Sequence, residues 1–294
     1  MLINQLTQNH YKAMKRQLSF FIISGSILLS GCGSVPVTGR KQMLLVSDQE
    51  VLTLSLQQYN EFMQTAPKST NTTNTALVVK VGRNIAAAVE TYLKNNGYES
   101  MLSEFSWEFN LVKSDEVNAF CMPGGKIVVY EGILPITQNE TGLAVVLGHE
   151  VAHAVAKHAN ERMSTQIVTE YGTAAAGSVL SGSSAATQQI AATAFGLGTQ
   201  YGILLPYSRK QELEADKLGL IFMAMAGYDP SQAAAFWQRM SQASASGTPE
   251  FMSTHPSDDT RIKKIQEALP EALKYYKGSS TTPSGAKTSS QWKF

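Results

Sequence analysis

The sequence has almost no net charge, few cysteines and no long hydrophobic run. Its 294 residues carry 24 Lys and Arg against 23 Asp and Glu, which gives a formal net charge of +1. It contains no basic run of the kind that follows nucleic-acid phosphates, so the composition argues against nucleic-acid binding. The apolar run from Leu18 to Leu29 has about a dozen residues, whereas a membrane-spanning helix needs roughly 20.

That short apolar run belongs to an N-terminal segment typical of a secretory signal. Lys12, Lys15 and Arg16 precede it, in the charge-then-hydrophobe order of such signals. Leu29-Ser30-Gly31-Cys32 then resembles a bacterial lipobox, in which small residues precede a cysteine that is lipidated. We therefore expect residues 1–31 to be removed. The alternative is an uncleaved anchor, or an ordinary signal peptide beside a chance cysteine.

The two cysteines and the residue after the first one indicate where the protein works. Gly33, rather than aspartate, follows Cys32, which in Gram-negative bacteria implies sorting to the outer membrane. The protein is then anchored by lipid and faces the periplasm. Lipidation of Cys32 leaves Cys121 without a partner, so no internal disulfide is expected. Cys121 is a buried small hydrophobe or, less in keeping with its uncharged neighbours, a redox-sensitive thiol.

One segment, His149-Glu150-Val151-Ala152-His153, has the residues of a catalytic zinc site. On a helix, residues four apart lie on one face about 6 Å apart along the axis, so both histidines can reach one metal ion. Zinc lowers the pKa of a bound water from about 15.7 to roughly 7, and the carboxylate between the histidines can accept its proton. The alternative is a pair of core histidines hydrogen-bonded to their neighbours.

The motif lies in a segment that predicts a buried helix from Thr137 to about Met163. Thr137 and Glu140 have capping-box spacing. The helix is too apolar for a solvated surface, and the residues that make it so are Leu143, Ala144, Val146, Leu147, Val151 and Ala154. Because an unpaired buried charge is costly, two histidines and a glutamate in such a helix favour a metal site.

A catalytic zinc site usually has three protein ligands, and Glu212 is the best candidate for the third. Ser208 and Gln211 have capping-box spacing, so Glu212 lies at the start of a helix. Asp216 shares its face and can accept the free ring N–H of a ligand histidine. Glu214 points about 200° away. The alternative is a solvated acidic face paired with Lys210 or Lys217.

Several sequence blocks together resemble a known family. They are Pro36-Val37-Thr38-Gly39-Arg40, Asn118-Ala119-Phe120 with Pro123-Gly124-Gly125, the His-Glu-x-x-His helix, Ser208-Arg209 with Glu212 and Glu214-Ala215-Asp216, and Ser253-Thr254-His255-Pro256. The family is that of the membrane-associated gluzincins, zinc metallopeptidases that include HtpX, BepA, LoiP and the Oma-type peptidases. The blocks are spread over most of the chain after Cys32.

The resemblance implies a zinc-dependent endopeptidase with one zinc ion per chain. It implies that His149, His153 and Glu212 bind the metal, that Glu150 is the general base, and that Asp216 orients a ligand. In several relatives the substrates are misfolded or misassembled envelope proteins. It also makes Asn118 and Ala119 candidates for contact with an extended substrate peptide, although an ordinary core hairpin explains these two residues equally well.

The remaining histidines of the mature chain are harder to interpret. His255 precedes a proline in a predicted loop, and such a histidine is often a surface residue. The resemblance instead implies that His255 approaches the metal, where it stabilises an oxyanion or occupies the open coordination position as a latch. His158 lies five residues beyond His153, which turns it off the ligand face, so we expect a structural role.

The rest of the chain predicts one mostly helical α+β domain of gluzincin type, from residue 32 to 277. Predicted helices cover 47–64, 76–94, 229–243 and 258–276. Alternating apolar residues over 105–111, followed by 116–122 and 126–130, predict a small β-sheet beside the metal helix. Residues 278–294 read as a disordered tail. Membrane attachment is expected through lipid, with unfolded envelope proteins as substrates.

Between the two halves of the predicted site, Tyr171 to Leu205 contains no charged side chain. Small residues permit close helix packing, so we expect helices and a loop that cover the active site, with membrane or partner contact as the alternative. A competing function for the whole protein is a zinc-containing chaperone or assembly factor that His255 latches and that cleaves little.

Overall fold

The computed structural model describes residues 32–180, 185–195, 208–243, 250–255 and 259–278. The predicted signal 1–31, the side chain of Cys32, parts of the uncharged stretch and the predicted tail from 279 onward lie outside the described residues. In the described part of the chain, no helix combines the length and the apolar character that crossing a membrane requires.

Helices make up most of the described chain, as predicted for a mostly helical α+β fold. They are α1 Asp48–Thr65, α2 Thr72–Asn95, α3 Leu134–Thr137, α4 Glu140–Val155, α5 His158–Leu180, α6 Ala185–Ala194, α7 Arg209–Met225, α8 Ala233–Ala243, α9 Glu250–Thr254 and α10 Asp259–Leu273. The predicted cap at Ser208 is confirmed, and Ser47 caps α1 in the same way: each serine oxygen accepts a backbone N–H three residues later. Helix α2 begins earlier than predicted because Asn71 caps it.

In the described ranges, two small sheets complete the fold. Strands β1 (Cys32–Ser34) and β2 (Lys41–Met43) form an antiparallel pair. The other sheet has the order β3 (Glu108–Val112), β5 (Lys126–Tyr130), β4 (Ala119–Met122), with β3 parallel and β4 antiparallel to β5. The predicted strand over 105–111 is therefore shorter at its start, where Phe105 and Trp107 stack with ring centroids 4.6 Å apart. The sheet lies beside α4, as predicted.

The boundaries predicted for the metal helix are wrong at both ends. Asn139, rather than Thr137, caps α4, because its side chain accepts the N–H of Gly142 while the Thr137 hydroxyl donates to the Leu134 carbonyl. At the other end, Lys157 has a positive φ of 57° and breaks the helix before α5 begins. The Asn139 cap and the positive φ of Lys157 thus replace the one predicted helix by α4 and the first turns of α5.

Helix α4 runs through the larger of two hydrophobic clusters. Its predicted core residues Leu143, Val146, Leu147 and Val151 are fully buried. Part of the uncharged stretch lies in the other cluster, where Ile190 and Phe195 are buried. Residues 171–180 and 185–194 of the stretch belong to helices α5 and α6, which confirms the predicted helical structure there. That the uncharged stretch covers the active site stays a prediction.

Helices α4 and α7 touch backbone to backbone at Gly148 and Gly219. A Cβ atom placed on Gly219 lies 2.9 Å from the Gly148 carbonyl carbon and 2.9 Å from the His149 nitrogen. A Cβ atom on Gly148 lies 2.9 Å from the Gly219 carbonyl oxygen. Both contacts are with main chain, which cannot rotate away. Two glycines therefore set the distance between the helices that carry the predicted ligands.

We predict that Gly219→Ala lowers the free energy of unfolding by about 1–3 kcal/mol, because its methyl group overpacks the helix contact. Ordinary helix propensity predicts the opposite sign, a gain of about 0.5–1 kcal/mol. Urea unfolding of the purified protein measures the difference, with exposed Lys217→Ala on the same helix as the control. A Gly219→Ala protein more stable than wild type would contradict the close approach.

Candidate metal centre

The two histidines of α4 point their Nε2 atoms at the same place. The Nε2 atoms of His149 and His153 are 3.0 Å apart, and both side chains are buried. One helical turn separates the residues, so the regular backbone of α4 is enough to align them. Their rings meet edge to face, with centroids 4.7 Å apart.

Helix α7 brings the predicted third ligand to the histidine pair. Glu212 Oε1 lies 3.3 Å from His153 Nε2, and Glu212 Oε2 lies 3.5 Å from His149 Nε2. Asp216, one turn later, contacts the other nitrogen of His149. Both carboxylates are buried, which excludes the solvated acidic face as an interpretation of this helix. Glu214 lies outside the cluster, as its helical position predicts.

His255 is a fourth donor in this cluster. Its Nδ1 atom lies 3.1 Å from His149 Nε2 and 3.0 Å from Glu212 Oε1. Its backbone N–H donates to the Phe251 carbonyl, which holds it at the end of α9. Only 2% of His255 is exposed, so the structure excludes the surface loop position that its sequence context favoured.

The donor set fits a zinc ion. Donor atoms of His149, His153, Glu212 and His255 all lie within 4.8 Å of one another. Bonds of about 2.0–2.1 Å to a tetrahedral zinc ion place neighbouring ligand atoms about 3.3 Å apart. The shortest separations here, 3.0 Å to 3.5 Å, are close to that spacing. Imidazole nitrogen with carboxylate oxygen is also a donor combination that zinc accepts.

The charge of the cluster favours a divalent cation. Glu150, Glu212 and Asp216 are buried together with one guanidinium, that of Arg261. Their attraction for positive charge is visible at His149: burial opposes protonation of its ring, but Glu212 and Asp216 outweigh burial and raise its pKa to about 9. A metal ion bound at the Nε2 atoms would neutralise the same buried carboxylates.

Asp216 and Arg261 hold His149 in place. His149 Nδ1 donates to Asp216 Oδ1 over 2.9 Å, so once a metal ion displaces the second ring proton the Nε2 lone pair faces the cluster. Arg261 donates to Asp216 from two nitrogens at 2.7 and 2.8 Å and forms an ion pair with Glu212 at 2.9 Å. Its guanidinium also lies over the Trp237 ring. No sequence pattern identifies Arg261, because a lone arginine in a C-terminal helix has no local signal.

Glu150 lies beside the donor cluster and next to the sheet. Its Oε1 atom is buried, has no hydrogen-bond partner among the described residues, and lies 3.4 Å from His255 Nε2. Burial is the main cause that raises the pKa of Glu150, although His255 and His149 oppose the shift. The backbone of Cys121 in β4 donates a hydrogen bond to this carboxylate. Cys121 itself is buried, in agreement with the small-hydrophobe interpretation.

Asn118 and Ala119 lie at the start of strand β4. The Asn118 carbonyl accepts the Tyr130 N–H and therefore faces β5, while its side chain accepts the Ala119 N–H. Main-chain direction alternates along a strand, so Ala119 and Cys121 present their peptide groups to the edge away from β5. Among the described residues that edge has no partner strand. It runs towards Glu150.

His158 also has a role that its sequence spacing does not predict. It stays outside the four-donor cluster, as predicted. Its Nδ1 atom nevertheless lies 2.8 Å from His153 Nδ1, and its Nε2 atom lies 3.1 Å from Glu214 Oε2. The break after α4 redirects the chain, so the five-residue spacing does not turn His158 away as it would in a continuous helix.

The sequence matches a known protein family. The sequence model of Peptidase family M48 matches residues 81–269. That range is more than half of the chain. It contains all four donors of the cluster together with Glu150, Asp216 and Arg261.

Curated relatives are of mitochondrial and bacterial origin. Mitochondrial metalloendopeptidase OMA1 of Schizosaccharomyces pombe is 42% identical over 176 residues, which cover 59% of this chain and 50% of that protein. The protein of the same name from Saccharomyces cerevisiae is 30% identical over 283 residues, 88% of this chain and 78% of its own. The beta-barrel assembly-enhancing protease of Escherichia coli is 30% identical over 163 residues, 53% and 33%. The chain thus spans half of the first relative and a third of the last.

We predict that the wild-type protein binds one zinc ion and that His149→Ala, His153→Ala and Glu212→Ala each weaken binding severely. Loss of a ligand should reduce the zinc affinity by more than the roughly 10–100-fold that loss of a residue hydrogen-bonded to a ligand costs. Competition with a chromophoric chelator measures the affinity, with Glu140→Ala at the start of α4 as the control. Unchanged zinc affinity in all three variants would contradict the ligand set.

Proposed function

The chain belongs to peptidase family M48, and on that premise we propose that it is a zinc-dependent endopeptidase with Glu150 as its general base. One observation carries the proposal: the buried donors of His149, His153 and Glu212 converge beside the Glu150 carboxylate. A zinc ion held there supplies Lewis acidity for attack of water on a peptide carbonyl. The other steps depend on the side chains of this chain.

Glu150 is suited to proton transfer. As a carboxylate it accepts a proton from the attacking water, and as the acid it then returns that proton to the leaving amine. Its raised pKa, caused mainly by burial, brings its basicity closer to neutral pH. The Cys121 backbone N–H fixes the orientation of this carboxylate, and Oε1, which accepts no hydrogen bond from the described residues, can accept one from the water.

Strand β4 is the proposed substrate-binding edge. The Ala119 and Cys121 carbonyls face away from β5 and can accept N–H groups of an extended peptide, whereas their own N–H groups already donate to the Asn118 side chain and to Glu150. Main-chain pairing places a scissile bond next to Glu150 without requiring a particular side chain. This arrangement supports an enzyme that accepts unfolded segments of many sequences.

For substrates and location, we infer misfolded or misassembled envelope proteins at the periplasmic face of the outer membrane. The lipobox ending at Cys32 and the Gly33 that follows it support a lipid anchor there. A relative in Escherichia coli is by name a beta-barrel assembly-enhancing protease, which supports outer-membrane β-barrel proteins as one substrate class. The other named relatives are mitochondrial.

A second candidate function is a latched zinc protein that acts as a chaperone or assembly factor. His255 favours it, because its Nδ1 atom belongs to the same donor cluster as the three predicted ligands. Four protein ligands close a zinc site, whereas a catalytic site keeps one position open. In the endopeptidase, the same histidine stabilises the oxyanion or moves aside.

Cleavage of unfolded casein and of an unfolded outer-membrane β-barrel protein tests the proposal. We predict that Glu150→Gln reduces the cleavage rate by roughly 100- to 10,000-fold while zinc stays bound. Glu140→Gln on the same helix, whose carboxylate pairs with Lys80, is the control and should cleave like wild type. Persistent cleavage by zinc-loaded Glu150→Gln would reject Glu150 as the base. Wild type that prevents aggregation without cleaving would favour the latched function.

His255→Ala separates the two roles of this histidine. If His255 stabilises the oxyanion, the variant cleaves casein more slowly; if it latches the metal, the variant cleaves faster. Removal of one of four donors should also weaken zinc binding in the latched protein. Wild-type rates and zinc affinity together would contradict both roles.

The anchor has its own test. We predict that the protein expressed in a Gram-negative host has a mature N-terminus at Cys32 that carries diacylglycerol and a fatty acid, seen as added mass. Cys32→Ser should prevent acylation and leave the precursor unprocessed at this site, whereas Cys121→Ser should be acylated normally. A mature chain that starts elsewhere, or acylation of Cys32→Ser, would contradict the lipobox interpretation.

A further inference from the structure

Each of the two predicted ligand histidines is supported on the ring nitrogen that faces away from the cluster. For His149 the support is Asp216, which Arg261 holds. For His153 it is His158, whose other nitrogen contacts Glu214. Both carboxylates belong to α7, and they lie two and four residues after the predicted ligand Glu212. For His153 one more residue, His158, lies between the ligand histidine and the carboxylate. That carboxylate, Glu214, in turn contacts the N-terminal part of the chain.

The contacts from His153 through His158 to Glu214 form a path, and the residues at its two ends determine where the protons lie. For His153 to present the Nε2 lone pair, its proton must lie on Nδ1, where it is donated to His158 Nδ1 over 2.8 Å. His158 must then carry its own proton on Nε2, which donates to Glu214 Oε2 over 3.1 Å. A carboxylate at the end of the path favours this arrangement, because it can only accept.

Glu214 is held by a loop far away in the sequence. Arg40 Nε donates to Glu214 Oε2 over 2.6 Å, and the Thr38 hydroxyl donates to Glu214 Oε1. With His158, these contacts occupy both oxygens of a buried carboxylate. The same guanidinium forms a two-point ion pair with Glu161 at 2.6 and 2.8 Å, so Arg40 bridges α5 and α7.

The loop that carries Thr38 and Arg40 has a defined conformation. Hydrogen bonds join the Val35 N–H to the Arg40 carbonyl and the Gly39 N–H to the Val35 carbonyl, at 2.8 and 2.9 Å. Val35 is fully buried. Strands β1 and β2 pair on either side of the loop. Both donors to Glu214 therefore come from a short, closed turn.

We propose that Thr38 and Arg40 position the zinc ligand His153 through Glu214 and His158, which makes the N-terminal loop 35–40 a working part of the metal centre. The inference rests on the proposed function in one respect, namely that His153 binds zinc. Arg40 could fasten the loop through Glu161 alone. Its additional contact with Glu214, together with the fully buried His158 between Glu214 and His153, distinguishes a positioning path from a simple loop anchor.

Two carboxylate-to-amide substitutions test the path, because Glu214 and Glu161 both pair with Arg40 but only Glu214 contacts His158. In the full-length protein, Glu214→Gln should weaken zinc binding roughly 10- to 100-fold, and Glu161→Gln should change it less than three-fold. Chelator competition gives the affinity, and the visible absorption bands of the cobalt-substituted protein report the ligand geometry. We expect altered cobalt bands for Glu214→Gln and wild-type bands for Glu161→Gln.

A gentler variant covers the case in which Glu214→Gln does not fold. Thr38→Val keeps the shape of the side chain and removes one donor to Glu214, so zinc affinity should fall roughly 2- to 10-fold, as for one lost hydrogen bond. Unfolding of the metal-free proteins shows whether a variant merely loosens the fold. Equal losses of affinity in the Glu214 and Glu161 variants, or none in Glu214→Gln and Thr38→Val, would overturn the proposal.

The His153→Ala variant keeps this inference separate from the proposed function. If it retains wild-type zinc affinity, then the ligand assignment fails and the positioning path fails with it. If it loses zinc while Glu214→Gln and Thr38→Val bind normally, only the role of the N-terminal loop is rejected.

Discussion

The backbone contact between Gly148 and Gly219 is the constraint on which the metal centre depends. With no side chain at either position, the main chains of α4 and α7 approach closely enough for a Cβ atom on one glycine to fall 2.9 Å from the other. His149 follows directly after the first glycine, and Asp216 lies one turn before the second. Any larger residue would separate the histidine pair from the carboxylates that α7 supplies.

The close approach of α4 and α7 buries charged groups, and each buried charge is stable only when it pairs with a group of opposite charge. Helix α7 offers Glu212 to the cluster, Asp216 to His149 and Glu214 to His158, and an arginine holds each supporting carboxylate. Breaking a buried pair of this kind typically costs about 3–5 kcal/mol. A zinc ion would neutralise the remaining negative charge of Glu212 and Glu150.

Sequence spacing predicted what is local to one helix. The His149–His153 pair, the shared face of Glu212 and Asp216, and the cap at Ser208 all follow from helical periodicity. Sequence spacing could not predict contacts between segments that are distant in the sequence. Arg261 reaches Asp216 from a separate helix, and the role of His158 depends on the positive φ of Lys157, which no periodic pattern encodes. The choice of Asn139 over Thr137 as cap is equally a matter of how the preceding turn closes.

X-ray absorption at the zinc edge of the zinc-loaded protein shows whether His149, His153 and Glu212 hold a catalytic zinc ion. We predict only nitrogen and oxygen neighbours, at about 2.0–2.1 Å, with scattering from two imidazoles in an open site or three when His255 binds. A neighbour at about 2.3 Å, the distance of a thiolate sulfur, would place zinc on a cysteine and contradict this ligand set.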